Sequence, residues 1–197
     1  MDRRMLNKLN DIDEIERCDA IEYLSSFLED DEIAIELLNM FNDRNYLVRC
    51  EAYDAFYGYN KKNIINNLIE KLQREKSKYA RMYICSTLSS IVKFFPLTKK
   101  QNEAFLFCYI KEKEVNVLIG FWTILYLIEK NEKYVIEILN CINHNDYHIR
   151  CNAINFLYEV IDDKNKNLII AAVNKRLNNE EAKSVKSLIE SFVLDNS

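Results

Sequence analysis

The chain has 197 residues, 49% of them hydrophobic, with two glycines, one proline and a formal net charge of −4. That length suits one domain or one short repeat array, and the scarcity of turn glycine and proline excludes β-sheet folds in favour of helices joined by polar turns. No apolar run of about eighteen residues occurs, which excludes a membrane-spanning helix.

The N-terminus reads Met1-Asp2-Arg3-Arg4 and then Asn10-Asp11-Ile12-Asp13-Glu14, without the apolar stretch of a secretory signal. The six cysteines are therefore expected as thiols in a reducing cytoplasm. Charge is unevenly placed: residues 1–60 carry a net −9, residues 61–113 a net +8, and residues 114–197 a net −3.

Taken in chain order, the elements repeat. A first unit, roughly 1–29, carries Asp11 and then Arg17-Cys18-Asp19-Ala20-Ile21-Glu22-Tyr23-Leu24. The second, 30–60, opens on the capping cluster Asp30-Asp31 and predicts a helix over Glu32–Phe41. It then restates the first stretch, 32 residues on, as Arg49-Cys50-Glu51-Ala52-Tyr53-Asp54-Ala55-Phe56. Val48, Ala52, Ala55, Phe56 and Tyr59 form one stripe at helical spacing. The third unit, 61–95, predicts a helix over Asn63–Gln73 and then Arg81-Met82-Tyr83-Ile84-Cys85-Ser86-Thr87-Leu88, a further 32 residues on. An acid stands six places before each arginine, as Asp11, Asp43 and Glu75.

Pro96 ends that unit and Thr98 caps the next helix, Lys99–Lys111, of a fourth unit over 96–129. Its second helix, Val117-Leu118-Ile119-Gly120-Phe121-Trp122-Thr123-Ile124, keeps a small residue in Gly120 but has lost the arginine. The fifth unit, 130–162, predicts Glu132–Ile142, a cap at Asn145-Asp146, and the near-verbatim copy Arg150-Cys151-Asn152-Ala153-Ile154-Asn155-Phe156-Leu157. The sixth, 163–197, follows Asp162-Asp163 with a helix over Lys164–Leu177. It closes on a frayed copy from Lys183, with Lys186 and Glu190 at core positions. A polar last repeat is what an array needs to end its core in water.

The turn-and-helix unit Asp43-Arg44-Asn45-Tyr46-Leu47-Val48-Arg49-Cys50-Glu51-Ala52, echoed by Asp146-Tyr147-His148-Ile149-Arg150-Cys151-Asn152-Ala153, resembles the HEAT repeat in its short bacterial form. The resemblance implies an all-α, right-handed α-solenoid of about six helical hairpins, a single repeat domain over 1–197. It also implies that Arg17, Arg49, Arg81 and Arg150 join neighbouring repeats in a structural ladder with the acids, and that second helices line the concave face.

Placed on second helices in that register, the outward positions are Asp19 and Glu22, Glu51 and Asp54, Tyr83 and Ser86, Trp122 and Tyr126, then Asn152, Asn155 and Glu159, with Tyr57 at the margin. Aromatic anchors among polar groups suit protein binding, and the acidic start suits a basic partner. For Trp122 the alternative is packing between repeats.

Few groupings offer chemistry. Cys141, His144, His148 and Cys151 have a spacing that could hold zinc, but they straddle a turn. Cys151 is also the register equivalent of Cys18 and Cys50, so buried thiols and solvated histidines are the stronger reading. With Gly58 and Gly120 inside predicted helices there is no phosphate loop. The carboxylates of the first two units would repel a nucleic-acid backbone.

The expectation is a non-catalytic protein binder without cofactor, in its most specific form a cytoplasmic bacterial immunity protein that holds a basic, nuclease-type toxin domain in an acidic groove. The abundance of Asn, Ile, Lys and Tyr, typical of AT-rich bacterial genes, motivates that form. A scaffold or adaptor subunit fits the same residues. A DNA glycosylase or lyase on the same fold is the competing class, and would need a basic groove or an acid beside Trp122.

Overall fold

A computed structural model describes residues 3–196, and among them the secondary structure is entirely helical. In order these are α1 (Arg3–Lys8), α2 (Glu14–Ser25), α3 (Asp31–Asn39), α4 (Tyr46–Ala55), α5 (Ile65–Arg74), α6 (Lys78–Val92), α7 (Lys99–Lys111), α8 (Val115–Glu129), α9 (Lys133–Cys141), α10 (Tyr147–Val160), α11 (Lys166–Leu177) and α12 (Lys183–Asp195). Short 3₁₀ turns cover Met40–Asn42 and Lys62–Ile64. No described helix is long and apolar enough to cross a membrane.

The helices gather into two compact units, Met1–Cys108 and Tyr109–Ser197, divided within α7. In the first, α1 pairs with α2, α3 with α4 and α5 with α6, and the second helices α2, α4 and α6 pack on one another in order. The first helices α3 and α5 make no comparable contact, so α2, α4 and α6 form the closely packed inner row of this unit. In the second unit α9 pairs with α10 and α11 with α12, and α8, α10 and α12 form the corresponding row. This sequence-adjacent pairing is the solenoid-like architecture that the repeat predicts.

One local device starts every second helix. The residue at the head of each polar turn accepts the backbone N–H two places on: Asp11 from Asp13 (2.9 Å), Asp43 from Asn45 (2.7 Å), Glu75 from Ser77 (2.9 Å), Glu112 from Glu114 (3.0 Å), His144 from Asp146 (3.0 Å) and Glu180 from Ala182 (2.8 Å). The residue so held is in each case the N-cap of the following helix. Several of these caps then accept a first-turn amide themselves, which satisfies donors the helix cannot pair internally.

The arginines lock these turns together. Arg17 donates Nε and Nη2 to the Asp43 carboxylate (2.8 and 3.0 Å), while its Nη1 donates to the carbonyls of Asp11 and Ile12. Arg49 repeats the pattern on Glu75 (2.7 and 2.8 Å) and on the carbonyls of Asp43 and Arg44. Arg150 grips Glu180 (2.8 and 2.7 Å) and the carbonyls of His144 and Asn145. Such forks are directional and nearly dry, so they set the register between hairpins. Arg81 Nη1 donates to the carbonyls of Glu75 and Lys76.

The turn device also corrects the register in two places. Glu112 puts Leu118, not Val117, at the arginine position, and Phe121, not Gly120, at the buried position that Ala20, Ala52 and Ala153 fill elsewhere. In the last unit Glu180 puts Lys186 at the arginine position, so Lys186 and Glu190 face water while Val185, Ile189 and Phe192 fill the core. The final helix is therefore not eroded on its inner side. Gly58 lies beyond the end of α4 with φ +74°, a left-handed turn that favours glycine, and not inside a helix. Its N–H donates to Ser90 Oγ (2.9 Å) on α6. Thr98 and Gln101 cap α7 reciprocally, Thr98 N–H to Gln101 Oε1 (2.9 Å) and Gln101 N–H to Thr98 Oγ1 (3.3 Å).

Candidate functional site

In the first unit the acidic candidates come together. Asp19 and Glu22 on α2 and Asp54 on α4 are exposed, and Glu51 between them is half-buried. Burial pushes the Glu51 carboxyl above its ordinary value, and the charges of Asp54, Glu22 and Asp19 push it further. Asp54 is exposed, and partial burial among its neighbours raises its pKa too. Tyr83, half-buried on α6, is raised by burial and then by Asp54, Cys50 and Glu51. Tyr57 is exposed at the end of α4. These residues form a negatively charged inner surface across α2 and α4, bordered by Tyr83 on α6.

The second unit places its candidates differently. Trp122 is half-buried on α8. Tyr126 is not on the surface: it is 1% exposed, its hydroxyl donates to Asp162 Oδ2 (2.6 Å), and it accepts from Asn165 Nδ2 (3.0 Å). The one-residue register error of the fourth unit, which has no arginine to mark it, put Tyr126 on the outward line. Its actual role is structural, since Asn165 Nδ2 also donates to the Val160 carbonyl and Asp162 accepts the amides of Lys164 and Asn165. The tyrosine hydroxyl, foremost, keeps the Asp162 carboxyl below its usual value. On α10, Asn152 is half-buried and donates to the carbonyl (2.9 Å) and side chain (3.3 Å) of Asn116, whereas Asn155 is exposed and Glu159 half-buried. Asn152 thus ties α10 to α8 and is only partly available.

Of the four residues with zinc-like spacing, Cys141 is buried, and burial pushes its thiol up to about 11. His144 Nδ1 is taken by the Asp146 amide, and His148 packs on the Tyr147 ring, centroids 3.9 Å apart. Among the described residues no three His, Cys, Asp or Glu side chains are arranged to hold a metal ion. All six cysteines are free thiols.

The inner surface of the first unit also holds a row that sequence reading passed over. Ile15, Leu47 and Tyr79 recur at the 32-residue period, four residues before Asp19, Glu51 and Tyr83, hence one helical turn away on the same face. They are 66%, 51% and 50% exposed. Beside them Tyr46 stacks on Tyr79, centroids 6.2 Å apart. The signal was present as three apolar residues at one repeat position, but the acids beside them drew the reading.

Fold and surface together define an all-α protein of paired helices with an acidic inner face. No family model matches the chain, and no curated protein does. Among solved structures it is similar to the crystal structure of an engineered protein, at 12% identity and a TM-score of 0.44, with 98% of this chain and 94% of that chain covered.

Proposed function

We propose that this chain is a non-catalytic protein-binding solenoid that holds a basic partner against the inner face of α2, α4 and α6. In its most specific form it is a cytoplasmic bacterial immunity protein that neutralises a basic, nuclease-type toxin domain. The observation that carries the reading is the clustering of Asp19, Glu22, Glu51 and Asp54, in which burial, and then the neighbouring charges, raise the pKa of the Glu51 carboxyl. Uncompensated like charge costs stability, and it is retained where a cationic partner relieves it. The same field disfavours a nucleic-acid backbone.

The test is affinity purification of the tagged protein from its native cells at moderate salt, with mass spectrometry of what remains bound. A single near-stoichiometric basic protein, released by Glu51→Lys and Asp54→Lys, is the expected result. Recovery of nucleic acid, or of a partner indifferent to both substitutions, overturns it. A scaffold role would show instead as several partners retained together.

A further inference from the structure

The apolar row and the acidic rows constrain the shape of what binds, beyond its charge. Successive packed helices lie about 10 Å apart, so Ile15, Leu47 and Tyr79 present apolar contacts at about 10 Å intervals. Seven residues of α-helix advance about 10.5 Å and return a side chain to nearly the same face. Three residues of strand also advance about 10 Å, but the third side chain then points to the opposite face. A helix therefore matches the row where a strand does not.

The neighbouring charge decides the rest of the occupant's chemistry. One helical turn further along α2 and α4 stand Asp19 and Glu51, and beyond them Glu22 and Asp54. An anionic lipid surface or a nucleic acid would meet the apolar row only by bringing its own negative charge against these carboxylates. A cationic peptide meets both rows favourably over α2 and α4, while on α6 the Lys78 ammonium already lies 5.5 Å from the Tyr79 ring centroid.

Resting on the protein-binding reading above, we infer that the inner face of α2, α4 and α6 receives a basic amphipathic helix of the partner. The helix crosses the three helices near their N-terminal ends. Its apolar residues, spaced seven apart, seat on Ile15, Leu47 and Tyr79, and its lysines or arginines face Asp19, Glu51, Glu22 and Asp54.

The test uses the full chain and two synthetic peptides of about 20 residues with identical composition. One has leucine at every seventh position with lysine and arginine along one flank; in the other the order is scrambled. Binding is followed by fluorescence anisotropy, and peptide helicity by circular dichroism. The patterned peptide is expected to bind about tenfold more tightly, gaining helix as it does so.

Leu47→Ser with Tyr79→Ser should erase that preference while leaving the protein's own helical spectrum unchanged, since both residues are exposed. Equal binding of the two peptides, each weakened by Glu51→Lys and Asp54→Lys, overturns the helix inference and leaves the acidic-surface reading standing. Binding of both peptides that ignores the charge reversals overturns the two together.

Discussion

Replacing Glu180 by glutamine removes the charge from a nearly dry ion pair. The Glu180 side chain is 0% exposed. It accepts from Arg150 through both oxygens, from Arg176 Nε (2.9 Å) and from the Ala182 amide. Burial alone would raise its pKa, but Arg150, the Ala182 amide and Arg176 outweigh burial and bring it from the ordinary 4.5 to about 2. That displacement is worth about 3 kcal/mol of folding free energy at neutral pH, within the range of about 3–5 kcal/mol for breaking one side of a buried pair.

The folded pKa is depressed, so this stabilisation is present above the unfolded value of 4.5 and lost as pH falls through about 2. Urea unfolding at pH 7, followed by the fluorescence of the sole tryptophan, Trp122, reports on the same unit and should show a loss of about 3 kcal/mol in Glu180→Gln. Repeated near pH 2, the difference from the unaltered protein should shrink towards zero. A loss below about 1 kcal/mol at pH 7, or a difference that does not change with pH, would refute the assignment of Glu180 as a buried clamp.

Tyr126→Phe should cost about 2 kcal/mol by the same fluorescence assay, because it strips Asp162 and the buried Asn165 of a shared hydroxyl. An unchanged midpoint would show that this network contributes no stability. Glu51→Gln is expected to act in the opposite sense, raising the melting temperature at pH 7 while weakening the patterned basic peptide. The raised folded pKa of Glu51 means that its contribution to stability is full below the unfolded value and lost as pH rises through the folded one, so at neutral pH the charge opposes folding. Peptide affinity should run the other way with pH, falling as acidification protonates Glu51 and Asp54; calorimetric titration across that range reads it directly. Leu47→Ser should lower the melting temperature by no more than about 4 °C, since about half of the side chain is exposed.

The repeat is legible from residue order alone. The shift of 32 residues from Arg17 to Arg49 to Arg81 is covalent information, and helical periodicity turns it into paired helices without reference to any contact. The predicted helix Lys99–Lys111 is the observed α7, because Pro96 and the Thr98–Gln101 cap signal its start locally. The grouping of Asp19, Glu22, Glu51 and Asp54 followed too, since a constant period stacks equal positions on one face.

The register where the arginine is missing is not legible in that way and is settled by the folded chain. A one-residue choice between Val117 and Leu118 changes no local propensity, yet it carries Tyr126 from the surface to the core. The choice is made by the Glu112 side chain folding onto the Glu114 amide, and in the last unit by Glu180 closing on Arg150. His144 shows the same limit: in sequence it resembles a metal ligand, and in space it does the work of the missing acid at the head of its turn. The Glu112 and His144 bonds span only two residues, but neither residue type marks such a turn by itself, so residue order does not single them out and the packing of the hairpins does.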